Sequence, residues 1–404
     1  MQTLHLTAEE EAMLGGRDGE GVALAMRVIV GQARISDAPR LVEITSAHVD
    51  SCLYHGQVSL DFAHRLGDLG ARVRVPTTLN VGSMDLIHPA LVRDQELATA
   101  GRELMTAYVD LGCTPTFTCA PYQLPNRPAL GEHIAWAESN AIVFANSVLG
   151  ARTDRYGDFL DVCAAITGRA PYAGLQTTEA RQGTVVFDCR PLGDFLHTEL
   201  AYPLLGHHIG SVVGAGIPVL VGIPADVTED DLKALGAAAA SAGGVALFHA
   251  VDITPEAPRE FADLPTSEVD LATLQRVRRE LSTTGELDAV SVGTPHASYA
   301  ECLRLAELVA DGPPFKVPFY LSTGRATRGR LGPTLEVLEN AGVTVVVDTC
   351  TYVTAILSPD WKNVMTNSGK WAHYAPGNIN VNAVLGSLAE CVASARAGQV
   401  VLDS

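Results

Sequence analysis

Residues 217–253 read IPVLVGIPADVTEDDLKALGAAAASAGGVALFHAVDI, and their pattern decides the fold class. IPVLVGIP (217–224) is a short apolar run of the kind that forms a buried strand. Thr228 caps a helix over EDDLKALGAAAASAG (229–243), and GVALFHAVDI (244–253) is the next strand. Strand, helix and strand in this order make a βαβ unit with a right-handed crossover.

The alternation continues outward from this unit. Toward the C-terminus run strand LDAVSVG (287–293), helix SYAECLRLAELVADG (298–312), strand VPFYLST (317–323), helix GPTLEVLENAG (332–342) and strand VTVVVDT (343–349). Toward the N-terminus, Thr7 and Glu10 form a capping box for an opening helix, and a second helix runs through EGVALAMRVIVGQA (20–33). LVEIT (41–45), RVRVP (72–76) and TPTFTC (114–119) read as strands, and VSLDFAHRLGDLG (58–70) as a helix closed by Gly70. The stretch 130–170 reads as mostly helical, with a polar interruption at Glu138, Ser139 and Asn140. The expectation is an α/β fold of several parallel βα layers in two to three subdomains around a central cleft. Subdivision is expected near 170–210 and 251–285.

Composition narrows the function classes. At 404 residues the chain is long enough for more than one core, and 47% hydrophobic with 18% charged residues excludes disorder. A net charge of −18 argues against nucleic acid as a partner, since phosphate contacts need clustered cations. No apolar run approaches the roughly 20 residues of a bilayer span, and MQTLHLTAEEEAML has no signal-peptide pattern, so a cytoplasmic protein is the plain reading. The eight cysteines (52, 113, 119, 163, 189, 302, 350 and 391) include no CxxC pair and are expected to stay reduced.

In parallel sheets, ligands bind beyond the carboxyl ends of strands. The segments that follow the expected strands hold Ser46, His48, Asp50 and Cys52; Asn80; Cys119 and Tyr122; Thr294 and His296; Arg325; and Asp348 and Cys350. KNVMTNSGKWAHYAPG (362–377) adds Asn367, Ser368 and Lys370 and reads as a polar loop. Small hydroxyls, amides, His and Cys suit an anionic small molecule and a thiolate-bound metal, although each residue alone is more often structural. A dinucleotide site is excluded, because GSVVGAG (210–216) has the wrong spacing and precedes its strand. TNSGKW lacks the leading Gly and the Ser/Thr of a Walker A motif. A nucleophile at Cys52 or Cys119 with His48 or His55 has only proximity in sequence behind it.

SAHVDSCLYHG (46–56), PTTLNVGSMD (76–85), FTCAPYQ (117–123), the block 135–169 from AWAESN to AAITGR, GTPHAS (293–298), VDTCTYV (347–353) and TNSGKWAHYAPGN (366–378) together resemble the large subunit, or catalytic domain, of aconitase X. The resemblance spans essentially the whole chain. It implies sequential βα domains around an iron–sulfur site, closed by a smaller swivelling domain, and a dehydratase activity. One branch of the family dehydrates cis-3-hydroxy-L-proline and another mevalonate 5-phosphate. GTPHAS and DTCTYVTAIL (348–357) resemble the first branch, and the second has Cys where Thr294 stands.

For the residues, the resemblance implies Cys119 and Cys350 as cluster ligands, with Cys52 third and Cys302 in reserve. The cluster is expected as 2Fe–2S in preference to 3Fe–4S or 4Fe–4S. Lys370, Asn367, Ser368 and Asn80 would hold the substrate carboxylate, with the bound anion pairing the lysine. His48 and His296 would handle protons, and Ser46, Glu138, Ser139, Asn140, Arg152 and Thr153 would line the pocket. No swivelling domain follows GQVVLDS (398–404), so a small partner subunit carrying that domain and its catalytic serine is expected. The alternatives are a mevalonate 5-phosphate dehydratase large subunit and a cluster-free binding protein of the same fold.

Overall fold

Three parallel sheets follow one another along the chain in the computed structural model, which describes residues 3–402. The first region holds β1 (Leu41–Glu43), β2 (Ala47–Val49), β3 (Thr77–Leu79), β4 (Ala135–Trp136) and β5 (Arg169–Pro171). Its parallel sheet has the order β3-β2-β4, while β1 pairs antiparallel with β5. The middle region holds β6 (Val185–Asp188), β7 (Pro218–Val221), β8 (His249–Ala250) and β9 (Thr266–Glu268), all parallel in the order β8-β7-β6-β9. The last region holds β10 (Ala289–Ala297), β11 (Phe319–Thr323), β12 (Val343–Val346), β13 (Asn363–Thr366) and β14 (Asn382–Leu385). These are also parallel, in the order β12-β11-β10-β13-β14.

Local chemistry explains the elements that the sequence announces. The Thr7 side chain accepts from Glu10 N, and Glu10 returns a bond to Thr7 N, which closes the expected capping box. Thr228 and Asp231 do the same for the helix Glu229–Ala242. That helix is mostly small residues on its inner side, so the helix Ala201–Val213 approaches it closely. A Cβ at Gly206 would lie 2.1 Å from the Leu235 carbonyl oxygen, and one at Gly210 would lie 2.3 Å from that of Ala239. Central β10 is buried along its whole length because helices cover both faces of its sheet.

Several expected elements form differently. TPTFTC makes only one isolated bridge, Thr78 to Thr114. Pro115 lacks the N–H a ladder needs, and Phe117 takes φ 41°, so the segment reaches Cys119 as an irregular stretch tied to β3 by Thr118 N donating to the Leu79 carbonyl oxygen at 3.1 Å. The ladder expected at RVRVP begins after Pro76, at Thr77, and the one at GVALFHAVDI shortens to His249–Ala250. Only part of 130–170 is helical: β4, the helix Ser139–Phe144, a π-helical turn at Ala145–Leu149 and the helix Leu160–Thr167. KNVMTNSGKWAHYAPG is not a loop either. It supplies β13 and most of the helix Gly369–Ile379, joined at Asn367 and Ser368. Among the described residues, no helix is long and apolar enough to cross a membrane.

Candidate active site

Two cysteines meet where the first and last regions touch. Cys119 ends the irregular stretch after Thr114, and Cys350 sits just past β12. Their sulfurs and a ring nitrogen of His296 lie within 4.8 Å of one another, and all three residues are buried. Each is braced. Asn140 Nδ2 donates to the Cys119 carbonyl oxygen at 2.9 Å, and the His296 backbone N–H donates to Cys119 Sγ at 3.2 Å. The turn before Cys350 is pinned by Asp348, which has φ 65° and accepts two bonds of 2.7 Å from Arg325.

Burial, the largest influence, opposes ionisation of Cys119, but the hydrogen bond from the Cys350 thiol together with His296 and the Lys370 charge outweighs it and brings Cys119 down to about 6. That same bond, with burial and the Cys119 charge behind it, pushes Cys350 well above the usual thiol range. His296 stands differently. Its Nε2 lies 3.1 Å from the Thr349 carbonyl oxygen, which only accepts, so Nε2 carries the proton. Nδ1 lies 3.1 Å from the Thr118 hydroxyl. Both ring nitrogens are engaged, and the imidazole braces the thiols. A buried pair of free thiols, one easily ionised, has the soft donor chemistry of an iron–sulfur site.

A cavity of about 340 Å³ opens beside Cys119, lined among others by Asp50, Asn80, Glu138, Ser139, Arg155, Tyr352, Lys370 and Tyr374. Lys370, in the first turn of the helix Gly369–Ile379, makes a buried ion pair with Glu138 and donates to Ser139 Oγ at 3.2 Å. The anion expected from a bound ligand is therefore already present as a side chain. Burial alone would lower Lys370, but the Glu138 charge and hydrogen bond, with Tyr352 and Cys119 adding to them, together outweigh it and hold the ammonium well above its usual range. Burial likewise opposes the Glu138 carboxylate, and the Lys370 charge and hydrogen bond together with the Ala141 and Asn140 backbone N–H groups outweigh that and lower it. Glu138, at φ 77°, also caps the helix Ser139–Phe144 through Ala141 N at 2.8 Å. Burial, reinforced by the Glu138 charge, pushes Asp50 up to about 8.

Other expected site residues lie elsewhere. Cys52 is outside the thiol group: it turns inward and its Sγ donates to the Asn80 carbonyl oxygen at 3.1 Å. Burial, with Asp50 and Asp161 nearby, raises that thiol well above its usual range, which makes it a poor ligand and a poor nucleophile. Cys302 packs in the core of the last region. His48 is a β2 residue rather than a loop residue. Its Nδ1 lies 2.8 Å from Thr78 Oγ1, and its buried Nε2 has no partner within hydrogen-bond distance among the described residues. Asn140 lies behind Cys119, holding its backbone and Tyr122. Arg152 pairs with Glu256 at 3.3 Å, Thr153 bonds to the Trp136 backbone, and Ser46 accepts from the Trp136 indole at 3.4 Å. Asn367 and Ser368 line a second cavity of about 380 Å³, where Asn367 donates to Glu199 at 3.2 Å and Ser368 caps the helix that carries Lys370.

The sequence reading passed over Arg155, Tyr352 and Tyr374 as site residues and left Asp50 out of the substrate set. Asp50 was visible at the end of β2, but nothing local distinguishes it from a turn former. Arg155 and Tyr374 sit at positions where solvent-facing polar residues are ordinary.

The chain is similar to known proteins along nearly its whole length. Family models described as Aconitase X first, second and third domain match residues 3–179, 183–282 and 287–397. A cis-3-hydroxy-L-proline dehydratase of Hypocrea jecorina is 41% identical over 97% of this chain and 69% of its own length. A phosphomevalonate dehydratase large subunit of Thermococcus kodakarensis is 36% identical over 92% of this chain and 95% of its own length. The crystal structure of Thermococcus kodakaraensis aconitase X in its holo-form superposes with a TM-score of 0.88 at 32% identity, covering 97% of this chain and 100% of that one. These relatives are dehydratases, which are hydro-lyases.

Proposed function

This chain belongs to the aconitase X family, and we propose that it is the large subunit of an iron–sulfur hydro-lyase that dehydrates cis-3-hydroxy-L-proline to a pyrroline carboxylate. The observation that carries the choice of substrate is the charge balance of the cavity beside the thiol pair. Two carboxyls, Asp50 and Glu138, face two cations, Arg155 and Lys370. Asp50, held up at about 8 by burial and the Glu138 charge, becomes the second carboxylate when an ammonium pairs with it, so the wall suits a zwitterionic amino acid. Mevalonate 5-phosphate would bring a phosphate and a carboxylate to a wall whose one cation outside an ion pair, among the described residues, is Arg155.

The reaction removes the Cα proton and expels the 3-hydroxyl. Lys370 has three ammonium donors, of which Glu138 and Ser139 take two. The third is available to the substrate carboxylate and to the negative charge that builds on it as the Cα proton leaves. Asn80 and Arg155 line the same wall and hold the substrate's polar edge. Cys119 and Cys350 would hold the cluster, which when bound supplies a Lewis-acidic iron to polarise the leaving hydroxyl. Two thiolates, with no third cysteine in the group, favour 2Fe–2S over 3Fe–4S or 4Fe–4S. Asn140 and His296 keep Cys119 in place from behind. The proton acceptor is a serine of a swivelling domain on a small partner subunit. The near end-to-end match with a relative named as a large subunit supports that partner.

The test is turnover by the iron-loaded two-subunit complex, offered cis-3-hydroxy-L-proline and mevalonate 5-phosphate side by side. The expected result is dehydration of the first alone, by a brown protein whose colour is lost in Cys119→Ser and kept in Cys163→Ser. Preference for the phosphate, or an iron-loaded complex inert to both, overturns the proposal.

A further inference from the structure

The cavity beside Cys119 has four charged side chains in its wall: Asp50, Glu138, Arg155 and Lys370. Glu138 and Lys370 neutralise each other. Among the described residues neither Asp50 nor Arg155 takes part in an ion pair, so the cavity presents one carboxyl and one guanidinium without a charged partner, and Asp50, held up at about 8 by burial and the Glu138 charge, ionises as a cation comes to pair with it. Asp50 is held firmly. Its backbone N–H donates to Asp161 Oδ2 at 2.7 Å, and its Oδ1 accepts from Asn80 Nδ2. Its Oδ2 has no hydrogen-bond partner among the described residues. The neighbouring Ser51 is fixed as well, through its N–H and hydroxyl, both on Asp161. A carboxyl so fixed in a cavity wall is a preorganised receptor for a cation, because no side chain has to be ordered when the cation arrives.

We propose that Asp50 recognises the ring ammonium of the substrate and thereby selects a cyclic amino acid over hydroxy acids that carry no cation. This rests on the reaction proposed above and adds the residue that reads the substrate's nitrogen. Arg155, the guanidinium without a charged partner, stands on the same wall for the carboxylate end. An acid without the amine leaves Asp50 facing an uncharged group in a confined site, where an unmatched polar group costs affinity.

The oxygen isostere of the ring tests this without requiring turnover. L-Proline and (S)-tetrahydrofuran-2-carboxylate differ only in an ammonium replaced by an ether oxygen. Binding of each to the holo-complex is measured by calorimetry for wild type, Asp50→Asn and Asp50→Glu. The expected result is a preference of wild type for proline of at least about tenfold. Asp50→Asn should abolish that preference by weakening proline alone, and Asp50→Glu should retain most of it. Equal weakening of both ligands in a folded Asp50→Asn assigns Asp50 a purely structural role and overturns the proposal. So does a wild type that binds both rings alike, which decides the matter even if Asp50→Asn does not fold. A preserved proline preference with no dehydration of cis-3-hydroxy-L-proline would remove the proposed reaction and leave the role of Asp50 standing. Dehydration with no effect of Asp50→Asn on either ligand would do the reverse.

Discussion

Lys370 and Glu138 are 232 positions apart and form a buried pair beside Cys119. Removing one partner leaves the other charge buried and unmatched, which costs more than the pair itself contributes. Lys370→Met is therefore expected to lower stability by roughly 3–5 kcal/mol. Adding Glu138→Gln should restore most of that loss, because the amide can still cap Ala141 and carries no charge. Turnover should stay low in the double variant, since the third ammonium donor is gone. Urea unfolding of both single variants and the double variant, with kcat/KM per folded molecule, checks this; a Lys370→Met protein as stable as wild type would show that Glu138 needs no cation. The pair also marks where residue-level reading stops. That Lys370 needs an anion follows from burial, but the identity of that anion depends on a contact no local pattern encodes. Cys119 and Cys350 were legible because each lies just beyond an apolar segment. Cys52 has the same signature and turns into the core, since the signature does not fix which way a side chain points.

At the scale of elements, His48 shows how an element boundary decides chemistry. Reading LVEIT as one strand puts His48 in the following loop, whereas the chain breaks at Ile44–Ser46 and His48 falls inside β2, buried on both sides. Burial disfavours the charged imidazole and lowers it to about 4, although Glu138 and Asn80 act the other way. A histidine whose folded value lies below its unfolded value near 6.5 contributes stability that is complete above about 6.5 and is lost as pH falls through about 4. The gap corresponds to about 3 kcal/mol. Comparing urea unfolding of wild type and His48→Asn at about pH 7.5 and about pH 4 isolates this term, because the carboxyls titrate in both proteins. Wild type should lose about 3 kcal/mol more than the variant; parallel losses would mean that His48 is protonated in the folded chain. Elements with their own caps, such as those at Thr7 and Thr228, were legible. The Thr114–Cys119 segment and the Asn363–Ile379 strand and helix were not. Their conformations are set by a proline, a positive φ and burial against distant partners rather than by periodicity.

The whole molecule is built on three parallel sheets, with the cavity beside Cys119 between the first and last regions, and polar contacts between regions hold them together. Between the first and last regions, Gly82 N donates to the Asp348 carbonyl oxygen at 2.8 Å, Leu86 N to Asp348 Oδ2 at 3.2 Å, and Val347 N to Asp85 Oδ2 at 3.1 Å. Between the middle and last regions, Lys233 on the helix Glu229–Ala242 is buried between Asp230, at 2.8 Å, and Glu301 on the helix Tyr299–Val309. Ser298 closes the group by donating to Asp230 Oδ2 at 2.7 Å. The sequence showed βα layers but not this arrangement, because alternation specifies sheets and leaves their docking to side chains far apart in the chain. Lys233→Met leaves two carboxyls facing each other between regions and should cost roughly 3–5 kcal/mol. Because the loss falls on the junction rather than on either core, it should also separate the unfolding of the middle region from that of the last, giving two calorimetric transitions where wild type gives one. Glu301→Gln in the same chain should bring the transitions back together by neutralising one of the two carboxyls and so removing their mutual repulsion. A Lys233→Met protein that melts in a single transition at the wild-type temperature would mean that the two regions are held by their apolar contacts alone.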